Sequence, residues 1–523
     1  YLKLAAQGKY REALQLIKRE NPFPAVCGRI CNRRCEDACT RGTVDQAVAI
    51  DEVKRFIAQQ DLDAATRFVP EKVIPKVDGE FDQQIAIIGG GPAGLSCAYY
   101  LAEKGYRPTV FEKERRLGGM LENGLPSFRL EKDVVQAEID VLREMGVQFR
   151  CGVEVGKDVT IAQLREQGYQ GFYVAVGLQS GGRLNIPGDD AQGVTAGIDF
   201  MRRVNGGQET KLEGRVVVIG GGNIAADVAR TAVRCGAESV DLYCLESYDD
   251  MPMGPEDRGE CERDGITIHA GWGQTEIVTE NGHAAGIRFR KCLRVKNDQG
   301  RFAPEFDDND TCQAQCAAVL YCIGQKVDWR QLLTGTAVTF NPNGTAQVDP
   351  VTYQTAEPDI FAGGDAVTGQ KFAIDAIAAG KEGAISLHRF VQKATLTIGR
   401  NRRRFVELDK ENALIPVGFD NTPRQRIGYN EALRRTFRDE RIAFTAQQVQ
   451  KETARCLSCG ASVVDPNKCI GCGVCTTKCA FDAIHLHRER PECTHMIPAE
   501  DKMKAILPYM VKREIKIRKA GKK

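Results

Sequence analysis

Cysteines and glycines, placed in separate parts of the chain, constrain most strongly what this sequence can fold into. Ten of its 20 cysteines lie in runs near the two ends, spaced as iron–sulfur ligands are: Cys27, Cys31, Cys35, Cys39, Cys456, Cys459, Cys469, Cys472, Cys475 and Cys479. Two glycine-rich dinucleotide-binding patterns lie between the runs. Clusters carry single electrons, whereas a nicotinamide moves a hydride. A chain with both kinds of site therefore needs a converter, and a flavin is the usual one.

Composition favours metal-bound cysteines in a multidomain globular protein over a small disulfide scaffold. With 523 residues, 42% of them hydrophobic, the chain can form about three or four domains with their own cores. Its 72 basic and 70 acidic residues nearly balance, so no nucleic-acid partner is expected. We find no apolar stretch of roughly eighteen residues that would span a membrane, and no secretory leader. Clustered CxxC spacing then predicts metal binding in the cytoplasm.

The first glycine-rich pattern predicts a nucleotide-binding strand–helix–strand unit. An apolar run from Gln84 leads into Gly89-Gly90-Gly91-Pro92-Ala93-Gly94, which opens a segment with helical periodicity. Glycines there permit a tight turn and let backbone N–H groups approach a pyrophosphate at the helix N-terminus. A second apolar strand ends at Glu112, 23 positions after Gly89, where an acidic partner for a ribose hydroxyl is expected.

The second glycine-rich pattern repeats this plan. An apolar run from Arg215 leads into Gly220-Gly221-Gly222-Asn223-Ile224-Ala225, and a later strand is followed by Glu246, 26 positions after Gly220. A carboxylate there can accept hydrogen bonds from both ribose hydroxyls of NAD and would repel the 2′-phosphate of NADP. The alternative is that Glu246 is only a solvated strand end.

A third segment, from Asp359 onward, has an apolar approach, then Gly363-Gly364-Asp365, then a helix rich in small residues. Asp365 at such a turn can hold a hydroxylated chain, and the helix N-terminus after it can face a flavin edge. Spacing alone makes this a weak indication, because Gly-Asp turns are common.

Together these residues resemble the glutamate synthase small-subunit family. That family includes the FAD subunits of electron-bifurcating transhydrogenases and the N-terminal half of dihydropyrimidine dehydrogenase. The resemblance rests on seven motifs in family order: CGRIC, GGGPAGL, LGGM, GGGNIAADVAR, a Met-Pro pair, CIGQ and IFAGGD. It implies that the first pattern and Glu112 bind FAD, with Gly119, Gly364 and Asp365 near the flavin. It also implies that Gly220, Gly222 and Ala225 bind the nicotinamide cofactor.

The implied fold is a multidomain α/β protein with a helical iron–sulfur domain at the start and a ferredoxin-like 4Fe-4S domain at the end. Between them, an FAD domain is interrupted by an NAD(P) domain, both Rossmann-like. The predicted segments are 1–80 (helical iron–sulfur domain), 81–205 and 331–395 (FAD domain), 206–330 (NAD(P) domain), 396–455 (basic linker) and 456–523 (ferredoxin-like domain and basic tail).

Two positions depart from the family pattern. Many members hold the NADP phosphate with an Arg pair shortly before the Met-Pro, and the matching residues here are Leu245 and Glu246, which favours NAD. Members with two N-terminal clusters use a Gln or Glu ligand where this chain has Lys54, which cannot ligate while protonated. Cysteines upstream of Tyr1 would belong to that two-cluster arrangement. The four N-terminal cysteines therefore form one closed cluster or share ligands with such a segment.

The C-terminal cysteines are close to the bacterial ferredoxin run, with Ala480 where Pro is usual. Two cubanes need eight ligands, and this region offers seven even when Cys493 is counted, so the cluster number, two or three in the whole chain, stays open. A zinc site formed by the paired CxxC motifs is the alternative, against which Cys475 and Cys479 count. The basic tail from Lys502 is suited to an acidic partner such as ferredoxin.

The sequence thus predicts an FAD- and NAD-dependent iron–sulfur oxidoreductase subunit that exchanges electrons with ferredoxin and partner subunits. Electron bifurcation is implied only by the resemblance and the ferredoxin-like tail. The alternatives are an NADPH-dependent donor of the glutamate synthase type and a non-catalytic electron-wiring subunit. A pyridine-nucleotide disulfide reductase would need a redox-active cysteine pair beside the flavin, and only Cys97 follows the first pattern closely.

Overall fold

A computed structural model of the chain describes residues 1–71, 81–183, 185–208, 210–400, 422–459, 469–479, 484–486 and 498–520. The chain divides into two compact units, residues 1–459 and residues 460–523. Within the described ranges, no helix combines the length and the apolar character needed to cross a membrane.

The first unit begins with a helical domain that carries the N-terminal cysteines. Its helices are α1 Leu2–Ala6, α2 Tyr10–Lys18, α3 Pro24–Ile30, α4 Arg34–Asp37 and α5 Ile50–Ala58. Helices α3 and α5 cross so closely that a Cβ on Gly28 would lie 2.7 Å from the Cα of Arg55. This contact brings the cysteines of α3 against α5, where Lys54 lies.

The first glycine-rich pattern lies in a parallel sheet whose short apolar strands are buried, as in sheets covered by helices on both faces. Its elements are β1 Gln84–Ile88, α6 Pro92–Glu103, β2 Thr109–Glu112, α7 Met120–Asn123, α8 Lys132–Glu144, β3 Gln148–Cys151, α9 Ile161–Glu166 and β4 Tyr169–Val174. Strand β1 pairs with β2 on one side and β4 on the other, all parallel.

The chain then leaves this sheet and builds a second one around the second pattern. The elements are β5 Ser180–Gly181, β6 Val194–Ala196, α10 Gly197–Asn205, β7 Arg215–Ile219, α11 Asn223–Arg234, β8 Ser239–Cys244, α12 Pro255–Asp264, β9 Thr267–Ala270, β10 Trp272–Glu280, β11 His283–Lys296, β12 Phe302–Gln315, β13 Ala318–Tyr321 and β14 Gln325–Lys326. Parallel strands run in the order β6-β13-β7-β8-β9, and β10, β11 and β12 form an antiparallel sheet.

Strand β15 Ile360–Ala362 returns to the first sheet and completes the order β15-β4-β1-β2-β3. Helices α13 Asp365–Thr368 and α14 Ala373–Val391 follow it. The predicted interruption of one Rossmann-like domain by another is therefore confirmed. In both sheets the glycine turn follows the central strand, β1 or β7. The next strand of the chain lies on one side of it, and a strand from later in the chain lies on the other side, so the strand order reverses there. Such topological switch points are where open parallel sheets bind ligands.

Residues 422–455, here called the C-terminal strap, pack on the rest of the first unit. They form β16 Gly428–Tyr429, β17 Arg441–Ile442 and α15 Ala446–Ala454. Phe444 and Val449 join a core with Ala5 and Val53 of the helical domain. The prediction of a solvated basic linker is therefore wrong for these residues, because their charged side chains pair with buried partners. The basic run at 401–404 lies outside the described residues.

The second unit is described in part. It contains α16 Val474–Lys478, which carries Cys475, and α17 Lys502–Ala520. Helix α17 exposes apolar side chains, among them Met503, Leu507 and Met510, between its lysines and arginines. Cys493 lies outside the described residues.

Candidate functional site

The glycine turn after β1 is built so tightly that no larger side chain fits at two of its positions. Gly89 adopts φ +108°, and a Cβ on it would lie 2.4 Å from the carbonyl oxygen of Ala175. A Cβ on Gly94 would lie only 2.0 Å from the carbonyl oxygen of Gly89. Pro92 begins α6, a position where its missing N–H costs no hydrogen bond. This packing presses the N-terminus of α6 against the end of β1.

Glu112 is held beside this turn at the end of β2. Its Oε2 accepts a hydrogen bond from the N–H of Gly90 at 2.6 Å, and its Oε1 accepts one from the N–H of Glu114 at 2.9 Å. Burial raises the pKa of Glu112, and the two backbone donors partly offset that rise. The carboxylate is therefore fixed in place, as a partner for a ribose hydroxyl needs to be.

Two further segments close over the turn. The N–H of Gly118 donates to the carbonyl of Gly90 at 2.8 Å, and a Cβ on Gly119 would lie 2.9 Å from the Cα of Gly91. A Cβ on Gly364 would lie 2.9 Å from the Cβ of Ala93. Asp365 begins α13, and burial raises its pKa to about 6 although the N–H of Lys371 acts in the opposite direction.

The second glycine turn repeats the first with two differences. A Cβ on Gly220 would lie 2.5 Å from the carbonyl oxygen of Cys322, which parallels the packing of Gly89. The third small position is Ala225, fully buried, so α11 stands far enough from the turn to accommodate a Cβ. Glu246 is half-buried after β8, with its Oε2 2.8 Å from where a Cβ on Gly221 would be. Unlike Glu112, its carboxylate makes no hydrogen bond within the described residues.

A single cavity of about 1120 Å³ joins the two turns. From the predicted residues it is lined by Gly89, Gly91, Pro92, Ala93, Glu112, Gly119, Gly364, Asp365, Gly222, Asn223 and Ile224, and also by Cys31. Gly94, Gly220, Ala225 and Glu246 lie behind or beside these residues and do not line the cavity. A Cβ on Gly222 would meet nothing within 4 Å, and one on Gly91 would meet only Gly119 at 3.9 Å. These two glycines keep the cavity wall open, as close approach of a pyrophosphate requires.

Several polar groups in the cavity wall lack partners in the part of the chain that the structure describes. They are the hydroxyl of Tyr321, Nε2 of Gln325, Nε of Arg202 and Nε of Arg29. Buried donors without partners are rare in native proteins, so these groups indicate a ligand in the cavity. Gln325 belongs to the CIGQ motif, and its position next to a strand end was the available sequence signal. Tyr321 and Arg202 gave no such signal.

The N-terminal cysteines lie beside this cavity. Cys27 is buried on α3, Cys31 lines the cavity, Cys35 is exposed on α4 and Cys39 follows it. Burial raises the pKa of Cys27 to about 12 and that of Cys35 to about 11. Among the described residues, no three His, Cys, Asp or Glu side chains converge on a point that would hold a single metal ion. A cluster has a larger inorganic core, and a thiolate-only donor set suits it.

Lys54 faces these cysteines from α5. Its Nζ lies 2.5 Å from Oδ1 of Asp51, and its side chain is 10% exposed. Burial by itself would lower the pKa of Lys54, but Asp51, Cys27 and Cys31 outweigh burial and raise it. These groups favour the charged form of Lys54, which has no lone pair to offer a metal.

The C-terminal cysteines divide between the two units. Cys456 and Cys459 follow α15 in the first unit, where Nζ of Lys3 donates to the carbonyl of Cys456 at 3.3 Å. Cys469, Cys472, Cys475 and Cys479 belong to the second unit, and the first three are exposed.

Sequence reasoning missed a group of charged residues at the cavity. Arg129 lines it, with its Nε 2.6 Å from Oδ1 of Asp227 on α11 and an Nη2 2.5 Å from Oδ1 of Asp257 on α12. Arg441 of the strap lines it as well. A signal for α15 was present, since Thr445 and Gln448 have the spacing of a capping box and form one. No local pattern indicated where the strap packs.

Comparisons with known proteins agree with this architecture. Residues 83–380 match the family described as pyridine nucleotide-disulphide oxidoreductase. Residues 1–66 match dihydropyrimidine dehydrogenase domain II, 4Fe-4S cluster, and residues 462–485 match a 4Fe-4S binding domain. These matches indicate FAD, a nicotinamide nucleotide and 4Fe-4S clusters as cofactors.

Curated relatives and solved structures are similar over much of the chain. The beta subunit of the NADP(+)-dependent formate dehydrogenase of Moorella thermoacetica is 34% identical over 88% of this chain and 68% of its own length. The glutamate synthase [NADPH] small chain of Escherichia coli K12 is 31% identical over 75% of this chain and 86% of its own.

FprA of Mycobacterium tuberculosis in complex with NADPH has a TM-score of 0.51 at 18% identity, covers 60% of this chain and 85% of its own, and shows the fold alone. Taken with the glycine turns, the shared cavity and the cysteines beside it, these matches show that the chain belongs to the pyridine nucleotide-disulphide oxidoreductase family, among the FAD- and NAD(P)-dependent iron–sulfur oxidoreductases that include the glutamate synthase small chain.

Proposed function

We propose that this oxidoreductase subunit exchanges a hydride between NAD(H) and FAD and passes single electrons through its 4Fe-4S clusters. The observation that supports this most directly is the shared cavity, which is lined by both glycine turns and by Cys31. A nucleotide on one turn, a flavin on the other and a cluster on the cysteines would then be neighbours. FAD, when bound, accepts two electrons together and releases them singly.

The first turn is the proposed FAD site. Gly89, Gly91, Pro92, Ala93 and Gly94 would present the N-terminus of α6 to the pyrophosphate, where N–H groups and the helix dipole favour an anion. Glu112 would accept a hydrogen bond from the adenosine ribose, because its position is already fixed by backbone donors. Gly119, Gly364 and Asp365 would lie along the flavin end, because the two glycines approach the first turn closely and all three line the cavity.

The second turn is the proposed nicotinamide nucleotide site, formed by Gly220, Gly222, Asn223, Ile224 and Ala225. Asn223 also accepts a hydrogen bond from the N–H of Gly254 through its Oδ1 at 3.2 Å, which ties α11 to the loop before α12. We assign a preference for NAD to Glu246, whose carboxylate has no partner in the ranges that the structure describes and would be available to two ribose hydroxyls while repelling a phosphate. The relatives above carry NADP(+) or NADPH in their names, so NADPH is the second candidate.

The cysteines are the proposed cluster ligands: Cys27, Cys31, Cys35 and Cys39 in the helical domain, and Cys456, Cys459, Cys469, Cys472, Cys475 and Cys479 toward the C-terminus. Two or three clusters would result, all in a cytoplasmic enzyme. Partner subunits and ferredoxin would exchange electrons with them, and bifurcation would require both. A non-catalytic wiring subunit is less favoured, because both glycine turns keep the packing of functional sites.

The test begins with the anaerobically purified full chain. We expect one FAD and about eight to twelve irons per chain, since each cubane carries four. Zinc with little iron would make the cysteines structural instead. NADH should reduce the flavin in a single turnover, with a lower dissociation constant than NADPH. Tighter NADPH binding would overturn the role of Glu246 and favour a donor of the glutamate synthase type. Bifurcation would fail if the whole complex reduced ferredoxin with no second acceptor or donor.

A further inference from the structure

The C-terminal strap is anchored on the helical iron–sulfur domain by buried charges. Nη1 of Arg455 lies 2.7 Å from Oε1 of Glu452, with both side chains fully buried. The same Glu452 oxygen accepts a hydrogen bond from the N–H of Ala49 at 2.8 Å, and Nη1 of Arg424 donates to the carbonyl of Ala47 at 2.9 Å. Buried ions are costly to separate from their partners, so the two sequence ends of the strap are fixed on the helical domain.

The middle of the strap reaches the domain that carries the second glycine turn. Arg263 of α12 donates to Glu440, and Nη2 of Arg230 of α11 lies 3.7 Å from the same carboxylate. Nε of Arg234, also on α11, donates to the carbonyl of Thr436 at 2.8 Å. The strap therefore contacts both α11, which follows the second glycine turn, and α12.

Arg441 follows Glu440 in the strap and contacts two segments of the cavity wall. Its Nη1 donates to the carbonyl of Arg29 at 2.9 Å, two residues before Cys31, and its Nη2 donates to the carbonyl of Arg129 at 2.7 Å. Asp439 orients the guanidinium through Nε at 2.9 Å, and Asp439 itself accepts from Arg55 at 2.9 Å. Only a guanidinium has donors in a planar fork that can reach all three acceptors together.

Arg129 carries this restraint across the cavity, because its side chain pairs with Asp227 on α11 and Asp257 on α12. Domains joined by such polar interfaces move relative to each other unless something restrains them. We propose that Arg441 is a positioning residue for the hydride step, which holds the second turn at a fixed distance from the first turn and from the Cys31 segment. This inference rests on the proposed function, because it assigns the hydride donor and acceptor to the two turns.

The test compares Arg441→Met and Arg441→Lys with the unchanged full-length holoprotein in anaerobic single-turnover reduction by NADH. We expect the limiting rate of flavin reduction to fall about tenfold to a hundredfold in both variants, because small displacements of reacting groups have effects of that size. FAD content should be unchanged, and the dissociation constant of NADH should change by less than about threefold. Arg294→Met is the matched control, since Arg294 is 43% exposed and its ion pairs among the described residues are with Asp298 and Glu305 of the β11–β12 hairpin.

A second readout separates this inference from the proposed function. Hydrogen exchange of residues 223–234 and 255–264 should increase in Arg441→Met, whether or not NADH is the donor. An unchanged limiting rate with unchanged exchange would overturn the positioning role. A fall in rate that only tracks lost FAD would also overturn it, in favour of a merely structural role. If Arg441→Met does not retain its fold, Arg441→Lys, which keeps the positive charge and loses the planar fork of donors, replaces it in both measurements. Absence of flavin reduction by either nucleotide in the unchanged chain would reject the proposed function, whereas the exchange result would still decide whether Arg441 restrains the domains.

Discussion

The two nucleotide units of this protein share one plan and differ in how far each is closed before any ligand binds. Both place a glycine turn after the central strand of a five-stranded parallel sheet. In the first unit the helix meets the turn at Gly94, and the acid Glu112 is already hydrogen-bonded. In the second unit Ala225 occupies the third small position, and Glu246 is unpaired in the described residues. A tight, pre-ordered site suits a resident cofactor, whereas a site with a free acid suits a nucleotide that enters and leaves.

The largest expected effect comes from blocking the close approach of α6 to the glycine turn in the first nucleotide unit. Gly94→Ala would place a Cβ 2.0 Å from the carbonyl oxygen of Gly89, so α6 must move away from the turn. We expect a loss of about 3 kcal/mol or more in unfolding free energy and loss of most bound FAD. The flavin absorbance per chain and thermal unfolding measure both quantities.

A matched glycine-to-alanine substitution in the second nucleotide unit sharpens this comparison. Gly259 lies in α12, and a Cβ there would meet nothing within 4 Å. Gly259→Ala should retain full FAD and be neutral or slightly stabilising, because Ala is the better helix former. Stoichiometric FAD in Gly94→Ala would contradict the view that the first unit depends on this contact.

An intermediate effect is expected at Glu246, the acid that follows β8 in the second nucleotide unit. Glu246→Gln removes the charge that would bind two ribose hydroxyls, so the dissociation constant of NADH should rise about tenfold, equal to roughly 1.4 kcal/mol. NADPH should bind more tightly than before, because the repulsion of its phosphate is relieved. Titration of each nucleotide against the oxidised protein measures both changes.

The control for this prediction is Glu238→Gln, an exposed acid just before the opposite end of the same strand β8. It should leave both dissociation constants unchanged. If Glu246→Gln behaves like Glu238→Gln, the acid is only a solvated strand end and the two units do not share a ribose partner.

The smallest expected effect concerns how the stability of the protein depends on pH through Asp365 of the first nucleotide unit. The pKa of Asp365 is raised to about 6 by burial, above its value of about 3.9 in an unfolded chain. The folded state thus binds this proton more tightly, so the stability linked to it is complete below about pH 4 and is lost as the pH rises through about 6. The loss is at most about 3 kcal/mol.

Thermal unfolding of the unchanged chain and of Asp365→Asn, between pH 4 and pH 8, measures this effect. The difference between them should grow in favour of the variant up to about pH 7 and then level off. Asp308→Asn, in an exposed ion pair with Arg290, should show no such trend. A difference that does not depend on pH would mean that Asp365 is not buried enough to oppose ionisation.

The two nucleotide units could be predicted from sequence because their signals are local. A buried apolar run, a glycine turn, a helix and an acid follow each other within about 30 residues, and each depends on its neighbours in the chain. The sequence also showed that Lys54 stands where related proteins have a Gln or Glu ligand. The structure adds that Asp51 forms an ion pair with Lys54. The strap was predicted wrongly, because a basic composition by itself favours a solvated segment.

Charged side chains of the strap pair with residues of opposite charge that lie far away in the chain. Arg455 meets Asp45, and Glu440 meets Arg263, so neither side chain could be recognised from its neighbours in sequence. The sequence by itself determined which segments form nucleotide units and which cysteines are suited to clusters, since short-range periodicity and spacing encode both. Only the tertiary structure decided that one cavity joins both glycine turns with Cys31 and that Arg441 links their walls. Those contacts depend on groups separated by hundreds of residues, which meet only when residues 1–459 have folded together.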